Sequence, residues 1–221
     1  MSATDTLTES TQHYLREVFK LEQAGERATT TTVAAAMGVR PASATVMLKR
    51  LAALALVEHT PYRGVVLTDA GRKVALEIIR HHRLLERYLA ETLAVPLDEV
   101  HDEADRLEHA LSEELEQKID AHLGFPTHDP HGHPIPDAAL RFTAPPNERT
   151  LASLEPGESA VVSHVPDGDR ELLRYLGTLG LVPGETVELI HRAPFAGPLT
   201  LRAGGAEHSI SRDLAATIGV A

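Results

Sequence analysis

Imidazole and carboxylate side chains are concentrated in residues 101–109, whose sequence is HDEADRLEH. If this segment is helical, at about 100° per residue, one face carries four potential ligands: His101, Asp105, Glu108 and His109. Carboxylates that are packed together repel one another unless a cation compensates their charge. Because neutral imidazole and ionised carboxylate bind divalent transition metals, the segment predicts a metal site. The alternative is a solvent-exposed acidic helix with incidental histidines.

A second pair of potential ligands, His82 and Glu86, lies at positions i and i+4 and would also share one helix face. Two antiparallel helices that each carry such a face can form a metal site, as they do in bundle metalloproteins. The chain has no cysteine, which excludes disulfides, thiolate metal ligands and cysteine nucleophiles together. The predicted site therefore has oxygen and nitrogen ligands only.

Charge is divided along the chain, although its sum is −11. Residues 40–87 contain nine Lys or Arg against four Asp or Glu, a balance of +5, whereas residues 98–120 contain ten acids against two bases, a balance of −8. A basic part suits nucleic-acid phosphates, and an acidic part suits cations. The N-terminus lacks the pattern of a signal peptide, and the longest apolar run, residues 51–57, is too short to cross a bilayer. We therefore expect a cytoplasmic protein that does not contact the membrane.

The basic part of the chain has the pattern of a winged helix-turn-helix. Helices are predicted at residues 8–24, 32–37 and 40–55. Threonines, glycines and Pro41 supply their start and stop signals. Two β-prone runs, residues 57–60 and 65–67, surround a turn and would form the wing.

The second helix of such a motif presents its N-terminal residues to the major groove of DNA. Side chains of this helix and of the wing turn that could contact bases or phosphates are Arg40, Pro41, Ser43, Thr45, Lys49, Arg50 and Arg63. The alternative is a three-helix core whose third helix happens to be basic. The β-prone hairpin directly after that helix favours the DNA-binding interpretation.

The rest of the chain predicts a helical middle part and a small β-barrel at the C-terminus. Helices are expected from residue 69 to about 92 and from 96 to about 123, before an extended linker at 125–150. The predicted strands are residues 160–162, 186–190, 199–201 and 208–210, with one helix at 169–179 inserted among them.

Several motifs together resemble the diphtheria toxin repressor family of metal-dependent regulators over essentially the whole chain. They are QHYLR at 12–16, the segment 30–67, LTDAG at 67–71, HHRLLER at 81–87, VHDEADRLEH at 100–109 and GHPIP at 132–136. The tail resembles the SH3-like, FeoA-type domain of many members through LEPG at 154–157, LGTLGLVPG at 176–184 and AGPL at 196–199.

The resemblance implies a fold class that is mainly α with a small β part. It implies a winged helix-turn-helix DNA-binding domain at 1–73, a helical dimerisation and metal-binding domain at 74–145, and an SH3-like (FeoA-type) β-barrel at 151–221.

The resemblance also implies two metal sites. The implied ligands of the primary, activating site are His13, Asp105, Glu108 and His109. Those of the ancillary site are His82, Glu86 and His101, joined by a residue near Asp169 and, in some members, by linker residues that match Asp129 and His131. Leu172 stands where iron sensors of the family supply a polar ligand, so Asp169 or Glu171 is expected to act without that partner.

The departures from the family pattern bear on the metal. Iron sensors typically have Met and Cys where this chain has His13 and Asp105, whereas manganese sensors favour a carboxylate at the first of these positions. Asp105 in place of a thiolate makes the primary site harder, which favours manganese or iron over zinc or copper. We therefore expect Mn²⁺ first and Fe²⁺ second.

Members of the family are two-fold dimers, which implies a homodimer on palindromic operator DNA, with recognition helices about 34–36 Å apart. A metal that joins His13 to Asp105, Glu108 and His109 would couple metal binding to DNA binding. The expected function is a metal-dependent transcriptional regulator, a repressor of manganese or iron homeostasis genes and not an enzyme.

Three other functions are compatible with parts of the chain. A dinuclear metallohydrolase would use the same ligands but needs a general base beyond them, and the sequence has no nucleophile motif. A winged-helix regulator that senses an organic ligand would use the histidines structurally. An interaction module of the ferrous-transport type would account only for residues 151–221.

Overall fold

Threonine and proline residues set the starts of the N-terminal helices, as the sequence predicts for the second and third of them. These helices are α1 (Glu9–Gln23), α2 (Thr30–Ala36) and α3 (Pro41–Ala53). The Thr8 side chain accepts a hydrogen bond from the Thr11 backbone at the start of α1, and Thr29 and Thr32 form a capping box at α2. Pro41 fits the first turn of α3 because the N–H group that it lacks would have no partner within the helix.

A two-stranded antiparallel hairpin follows α3, as expected. Its strands are β1 (Val57–Thr60) and β2 (Gly64–Leu67). The backbone N–H of Val65 also donates to the carbonyl oxygen of Ala28 (3.0 Å), which joins β2 to the segment before α2. The buried apolar side chains around these helices and strands include Leu15, Val18, Val33, Leu48, Leu51, Val57 and Val65.

Glu22, near the end of α1, connects this helix to the hairpin. Its Oε1 accepts a hydrogen bond from the backbone N–H of Leu67 (2.8 Å). Its Oε2 pairs with Nη2 of Arg72 (2.5 Å). α1 and β2 are therefore held together by a charged side chain as well as by apolar packing.

The middle part of the chain is helical but is interrupted. It consists of α4 (Asp69–Leu93), α5 (Val100–Leu107), a 3-10 turn (Glu108–Ala110) and α6 (Glu113–His122). The prediction of one helix from residue 96 to about 123 is therefore wrong. α6 starts anew after Ser112, whose hydroxyl accepts a hydrogen bond from the Leu115 N–H (3.3 Å). Because Glu108 and His109 lie in the 3-10 turn, the helical spacing assumed for the four-ligand face does not extend to them.

The segment predicted to be an extended linker begins with a compact turn. Oδ1 of Asp129 accepts hydrogen bonds from the backbone N–H groups of His131 and His133 (2.9 Å each), as Asx turns do. Asp129 and His131 are buried, at 2% and 0% exposure. The linker prediction is therefore wrong for this turn, because the aspartate satisfies the backbone that an extended chain would leave to water.

The C-terminal part forms an antiparallel five-stranded sheet. Its strands are β3 (Ser159–His164), β4 (Thr186–Arg192), β5 (Leu199–Ala203), β6 (Ala206–Ile210) and β7 (Gly219–Val220), in the order β6-β5-β4-β3-β7. α7 (Arg170–Thr178) follows β3 as predicted, and a short α8 (Arg212–Ala215) precedes β7. Within the part of the chain that the structure describes, the sheet is open at β6 and β7, so the closed barrel is not confirmed.

The structure, a computed structural model, describes residues 7–60, 64–142 and 149–221. These residues form two units. Within these ranges, one unit comprises residues 7–60, 64–82, 108–116 and 136–141, and the other comprises residues 83–107, 117–135, 142 and 149–221. None of the helices described is both long and apolar enough for a transmembrane span.

Candidate metal centre

His13 of α1 and two residues of the 3-10 turn, Glu108 and His109, form a group of potential metal ligands, which we call the first cluster. One ligand atom from each lies within 4.8 Å of the others. Nε2 of His13 is 2.6 Å from Nε2 of His109, and Oε1 of Glu108 is 3.5 Å and 3.4 Å from these two nitrogens. Two imidazole nitrogens and one carboxylate oxygen are thus close to a common point.

Glu108 is the buried anion of the first cluster, with 1% of its surface exposed. Nη1 of Arg16 donates to both carboxylate oxygens (3.0 Å each), and Nδ1 of His82 lies 2.6 Å from Oε2. Burial by itself would raise the pKa of Glu108, but hydrogen bonds with His13 and His82 and the charge of Arg16 lower the pKa to about 2. The carboxylate is therefore ionised at neutral pH.

His109 is held in the form that binds metals. Its Nδ1 lies 2.5 Å from Oε1 of Gln12, an oxygen that only accepts, so Nδ1 carries the proton and Nε2 presents its lone pair. Burial lowers the pKa of His109, which favours the neutral ring. The first cluster fits a divalent ion, because metal ligands must be neutral imidazoles and ionised carboxylates.

Glu86 of α4, together with Asp129 and His131 of the compact turn, forms the second cluster. All three are buried, and their ligand atoms lie within 4.8 Å of one another. His101 of α5 adds its Nδ1 at 2.9 Å from Oε1 of Glu86. Oδ2 of Asp129 is buried and, among the described residues, makes no hydrogen bond, although Nε of Arg83 lies 3.5 Å away.

His131 is oriented by the backbone of a neighbouring loop. Its Nε2 donates to the carbonyl oxygen of Leu97 (3.0 Å), so Nδ1 points toward Oε1 of Glu86 (3.6 Å). Burial lowers the pKa of His131, but the contacts with Glu86 and Asp129 outweigh it and raise the pKa overall. A positive charge is therefore favoured at this point, and a divalent ion can supply it in place of the proton.

Family models match three consecutive parts of the chain. Residues 6–65 match the N-terminal DNA binding domain of iron dependent repressors. Residues 68–137 match the metal binding and dimerisation domain of iron dependent repressors, and residues 149–221 match the FeoA domain.

Relatives match over nearly the full length of the chain. The iron-dependent repressor IdeR of Mycobacterium tuberculosis is 29% identical over 226 residues, which cover 97% of each protein. The diphtheria toxin repressor of Corynebacterium diphtheriae is 28% identical over 228 residues, with the same coverage of 97% on both sides. A solved manganese-dependent transcriptional repressor in complex with manganese is 37% identical, covers 95% of this chain and 98% of its own, and superposes with a TM-score of 0.86.

The chain belongs to the diphtheria toxin repressor family. It is therefore a metal-dependent transcriptional regulator rather than an enzyme. A second solved relative, the manganese regulator SloR, is 27% identical, with a TM-score of 0.82 and coverage of 97% of this chain and 99% of its own. Iron and manganese regulators both occur among the relatives of this family member.

Two predicted ligands of the repressor, Asp105 and His82, are not members of either cluster as defined above. Asp105 lies on α5, with Oδ2 4.0 Å from Nε2 of His101. His82 contacts Glu108, as described above. The roles that the family resemblance gives to Asp105 at the primary site and to His82 at the ancillary site stay predictions.

Asp169 is exposed at the start of α7. Its side chain accepts a hydrogen bond from the backbone N–H of Leu172 (3.0 Å) and so caps the helix. Neither Asp169 nor Glu171 belongs to any of the ligand groups found in the described residues. Their part in the ancillary site stays a prediction.

Most of the residues predicted to contact DNA are exposed on α3 or next to it: Arg40, Pro41, Ser43, Lys49 and Arg50. Thr45 is half-buried, and its hydroxyl donates to the carbonyl oxygen of Pro41 (2.9 Å). Val46, an apolar residue of the same helix, is 69% exposed. Arg63 lies outside the described residues.

Sequence reasoning missed three residues that shape the clusters. Gln12 sets the tautomer of His109, Arg16 neutralises Glu108, and the Leu97 carbonyl orients His131. Arg16 stands three residues after His13, on the same face of α1, and this spacing was a usable signal. A backbone carbonyl has no sequence signal of this kind.

Proposed function

We propose that this regulator binds operator DNA when a divalent ion, Mn²⁺ first and Fe²⁺ second, is held by the first cluster. The observation that supports the proposal is the pair of imidazole nitrogens 2.6 Å apart beside a buried carboxylate whose pKa is about 2. When bound, the ion adds a second positive charge beside this carboxylate and joins both histidines to it.

The ligand set supports a hard or borderline metal ion. Carboxylate and imidazole suit Mn²⁺ and Fe²⁺, whereas thiolate or thioether would favour softer ions. The chain has no cysteine, so thiolate ligands are excluded. Asp105, which the resemblance assigns to the primary site, would add a second carboxylate and strengthen the preference for Mn²⁺.

The position of His13 on α1 supports a link to DNA binding. The same helix carries Glu22, which binds the backbone of β2 at Leu67 and the side chain of Arg72. A histidine that is fixed by the first cluster therefore restrains the helix that supports the hairpin. By linkage, operator DNA that favours this restrained arrangement must also strengthen metal binding.

For the DNA contact itself, we propose a winged helix-turn-helix. The exposed start of α3 would enter the major groove, with the hairpin of β1 and β2 as the wing. The match of residues 68–137 to a metal binding and dimerisation domain supports a homodimer, and a two-fold dimer suits a palindromic operator. A protein that binds operator DNA is expected in the cytoplasm. The C-terminal sheet would adopt the SH3-like arrangement of its family.

We assign the second cluster as the ancillary site, with Glu86, Asp129 and His131 as ligands and His101 beside them. The buried Oδ2 of Asp129, which has no hydrogen-bond partner among the described residues, supports this assignment. A buried carboxylate oxygen that makes no hydrogen bond costs free energy, and a cation bound more closely than Nε of Arg83, which lies 3.5 Å away, would recover part of it.

A DNA-binding titration on a selected operator tests the function. At fixed salt, the repressor is titrated in parallel with Mn²⁺, Fe²⁺, Co²⁺, Zn²⁺ or EDTA, because phosphate contacts make the affinity salt-dependent. We expect tight binding with Mn²⁺, weaker binding with Zn²⁺, and none above background in EDTA. Binding that persists unchanged in EDTA would instead support a regulator that senses an organic ligand.

Two variants connect this result to the residues. His13→Ala should abolish the response to Mn²⁺ while leaving weak, sequence-independent DNA binding in place. Lys49→Ala should weaken binding at every Mn²⁺ concentration and reduce the salt dependence by about one phosphate contact. An unchanged Mn²⁺ response in His13→Ala contradicts the proposal.

A further inference from the structure

The compact turn that carries Asp129 and His131 packs against the C-terminal domain, by which we mean residues 149–221, the part that matches the FeoA domain. The backbone N–H of Val165, just after β3, donates to the carbonyl oxygen of His131 (3.0 Å). Nδ1 of His133 also lies 3.4 Å from Oδ2 of Asp167. The C-terminal domain therefore contacts the backbone of a proposed ligand directly.

Gly132 shows how closely this turn and β3 approach each other. Its φ is +90°, a conformation that favours glycine. A Cβ atom at this position would lie 1.9 Å from the carbonyl oxygen of Ser163. Because the atom that it would meet belongs to the backbone, a side chain at this position would push the turn and the strand apart, next to His131.

The ring of His131 depends on the same domain by a second route. The ring is oriented by the carbonyl oxygen of Leu97, and the next residue, Asp98, accepts a hydrogen bond from Nε of Arg174 on α7 (2.5 Å). Glu99 pairs with Arg170 of the same helix. α7 thus holds the loop that aims Nδ1 of His131.

We propose that the C-terminal domain is a positioning element of the second cluster, which fixes both the backbone and the ring of His131. Ion binding at this cluster and docking of the domain then stabilise each other. Asp169 and Glu171 are not needed as ligands for this coupling, because the domain acts through Val165, Gly132 and α7. This inference rests on the proposed ancillary site.

The backbone contact is tested with Gly132→Ala. Mn²⁺ titrations, by calorimetry and by the electron paramagnetic resonance of free Mn²⁺, are made in a Glu108→Gln background, so that they report the second cluster alone. We expect Gly132→Ala to weaken Mn²⁺ binding about tenfold or more. The matched control is Gly157→Ala, at φ +86°, where a Cβ meets nothing within 4 Å; it imposes similar backbone strain without the clash.

The ring contact is tested with Arg174→Gln, which is milder for folding. Arg174 is 56% exposed and pairs with two acids, so at low salt we expect Mn²⁺ binding about threefold weaker. The matched control is Arg202→Gln, because Arg202 is 51% exposed and also pairs with two acids, Glu188 and Glu207, on the sheet of the same domain. This control should leave Mn²⁺ binding unchanged.

Hydrogen exchange supplies a readout that does not depend on activity. Mn²⁺ should slow exchange of the Val165 amide in the parent, and Gly132→Ala should speed that exchange even without metal. Equal Mn²⁺ affinity in Gly132→Ala and Gly157→Ala, with Val165 exchange unaffected by Mn²⁺, would overturn the positioning role. If the Glu108→Gln background itself binds no Mn²⁺ at Glu86 and His131, the proposed ancillary site fails instead.

Discussion

The two clusters contain the same side-chain types but compensate their buried carboxylates in different ways. In the first cluster, Arg16 donates to both oxygens of Glu108, and the pKa of this group falls to about 2. In the second cluster, Nε of Arg83 lies 3.5 Å from Oδ2 of Asp129, and Glu86 and Asp129 raise the pKa of His131, so a proton on His131 also supplies compensating charge. A metal ion at the first cluster adds to an existing cation, whereas at the second cluster it competes with a proton.

The clusters also differ in what holds their ligands. His13 stands on a helix with a side-chain cap at its start, and Glu108 and His109 follow each other in one short turn. In the second cluster two of the three ligands stand on a turn that is held by Asp129 itself and by the C-terminal domain. Secondary structure fixes much of the first cluster, and tertiary contacts fix most of the second.

Removal of the charge of Glu108 should have the largest effect, because this side chain contacts His13, His82 and Arg16. Glu108→Gln keeps the shape but carries no charge. We expect Mn²⁺ affinity at the first cluster to fall about 100-fold and Mn²⁺-dependent operator binding to disappear. Calorimetric Mn²⁺ titration and fluorescence anisotropy with labelled operator measure the two effects.

Glu116→Gln is the matched control for this variant. Glu116 is also paired with an arginine and a histidine, Arg80 and His81, but it belongs to neither cluster. The control should keep Mn²⁺-dependent operator binding. If both variants lose it equally, the effect comes from a lost buried ion pair and the first cluster has no special role.

Glu86→Gln should have a smaller effect that is confined to the second cluster. We expect one Mn²⁺ fewer per chain at moderate Mn²⁺ concentrations, with operator binding still dependent on Mn²⁺ and its midpoint shifted about tenfold upward. Stoichiometry from calorimetry, together with the operator titration, checks this. A complete loss of operator binding would mean that the second cluster, rather than the first, is the activating site.

The sequence predicted the parts of the first cluster that follow from residue type and resemblance. His13, Glu108 and His109 were all named, although the helix that was expected to align the last two ends at Leu107. Glu108 and His109 still lie near His13 although the helix ends before them, because they are adjacent residues of one short 3-10 turn. Residue type and family position thus carried more information here than helical periodicity.

The second cluster was harder to predict for a physical reason. Asp129 and His131 lie in a segment rich in Pro, Gly and His, which indicates a solvent-exposed linker unless a side chain satisfies the backbone. Asp129 does so, and burial follows from packing against β3, a contact between residues far apart in sequence. The helices α1 to α4 and α7 and four of the five C-terminal strands could be predicted because they depend on local patterns, whereas the break between α5 and α6 and the short α8 were not predicted.

Lowering the pH should separate the clusters. Because the pKa of His131 is raised, protons displace metal from the second cluster at a higher pH than an ordinary histidine would require. The pKa of His109 is lowered and that of Glu108 is about 2, so the first cluster should keep Mn²⁺ to lower pH. Mn²⁺ titrations of Glu108→Gln and Glu86→Gln between about pH 5 and about pH 8 test this.

The same pKa shifts make the stability of the metal-free protein depend on pH in opposite directions. His131, with its raised pKa, adds stability below its ordinary pKa, and this contribution is lost as the pH rises through the folded value. Glu108 adds stability above its ordinary value of 4.5, and this contribution is lost as the pH falls toward about 2. In the Mn²⁺ titrations above, loss of Mn²⁺ at the same pH from Glu108→Gln and Glu86→Gln would contradict the proposed difference between the two clusters.

Arg16→Gln should have the smallest effect on metal binding. It tests whether the arginine beside Glu108 competes with the ion, a competition that we propose only for the first cluster. Loss of one partner from a buried ion pair costs about 3 kcal/mol, so the metal-free protein should melt several degrees lower. Mn²⁺ at the first cluster then becomes the main cation near Glu108, and we expect its affinity to rise about threefold as a competing charge is removed. The Mn²⁺-induced rise in melting temperature should therefore exceed that of the parent.

Arg80→Gln is the control, because Arg80 is equally buried and pairs with Glu116, outside both clusters. It should lower the melting temperatures of the metal-free and Mn²⁺-loaded forms by the same amount, since no ion replaces its charge. Weaker Mn²⁺ binding in Arg16→Gln would mean that Arg16 orients Glu108 for the ion rather than competing with it. The compensation in the first cluster would then be geometric, and the contrast with the proton-balanced second cluster would lie in rigidity alone.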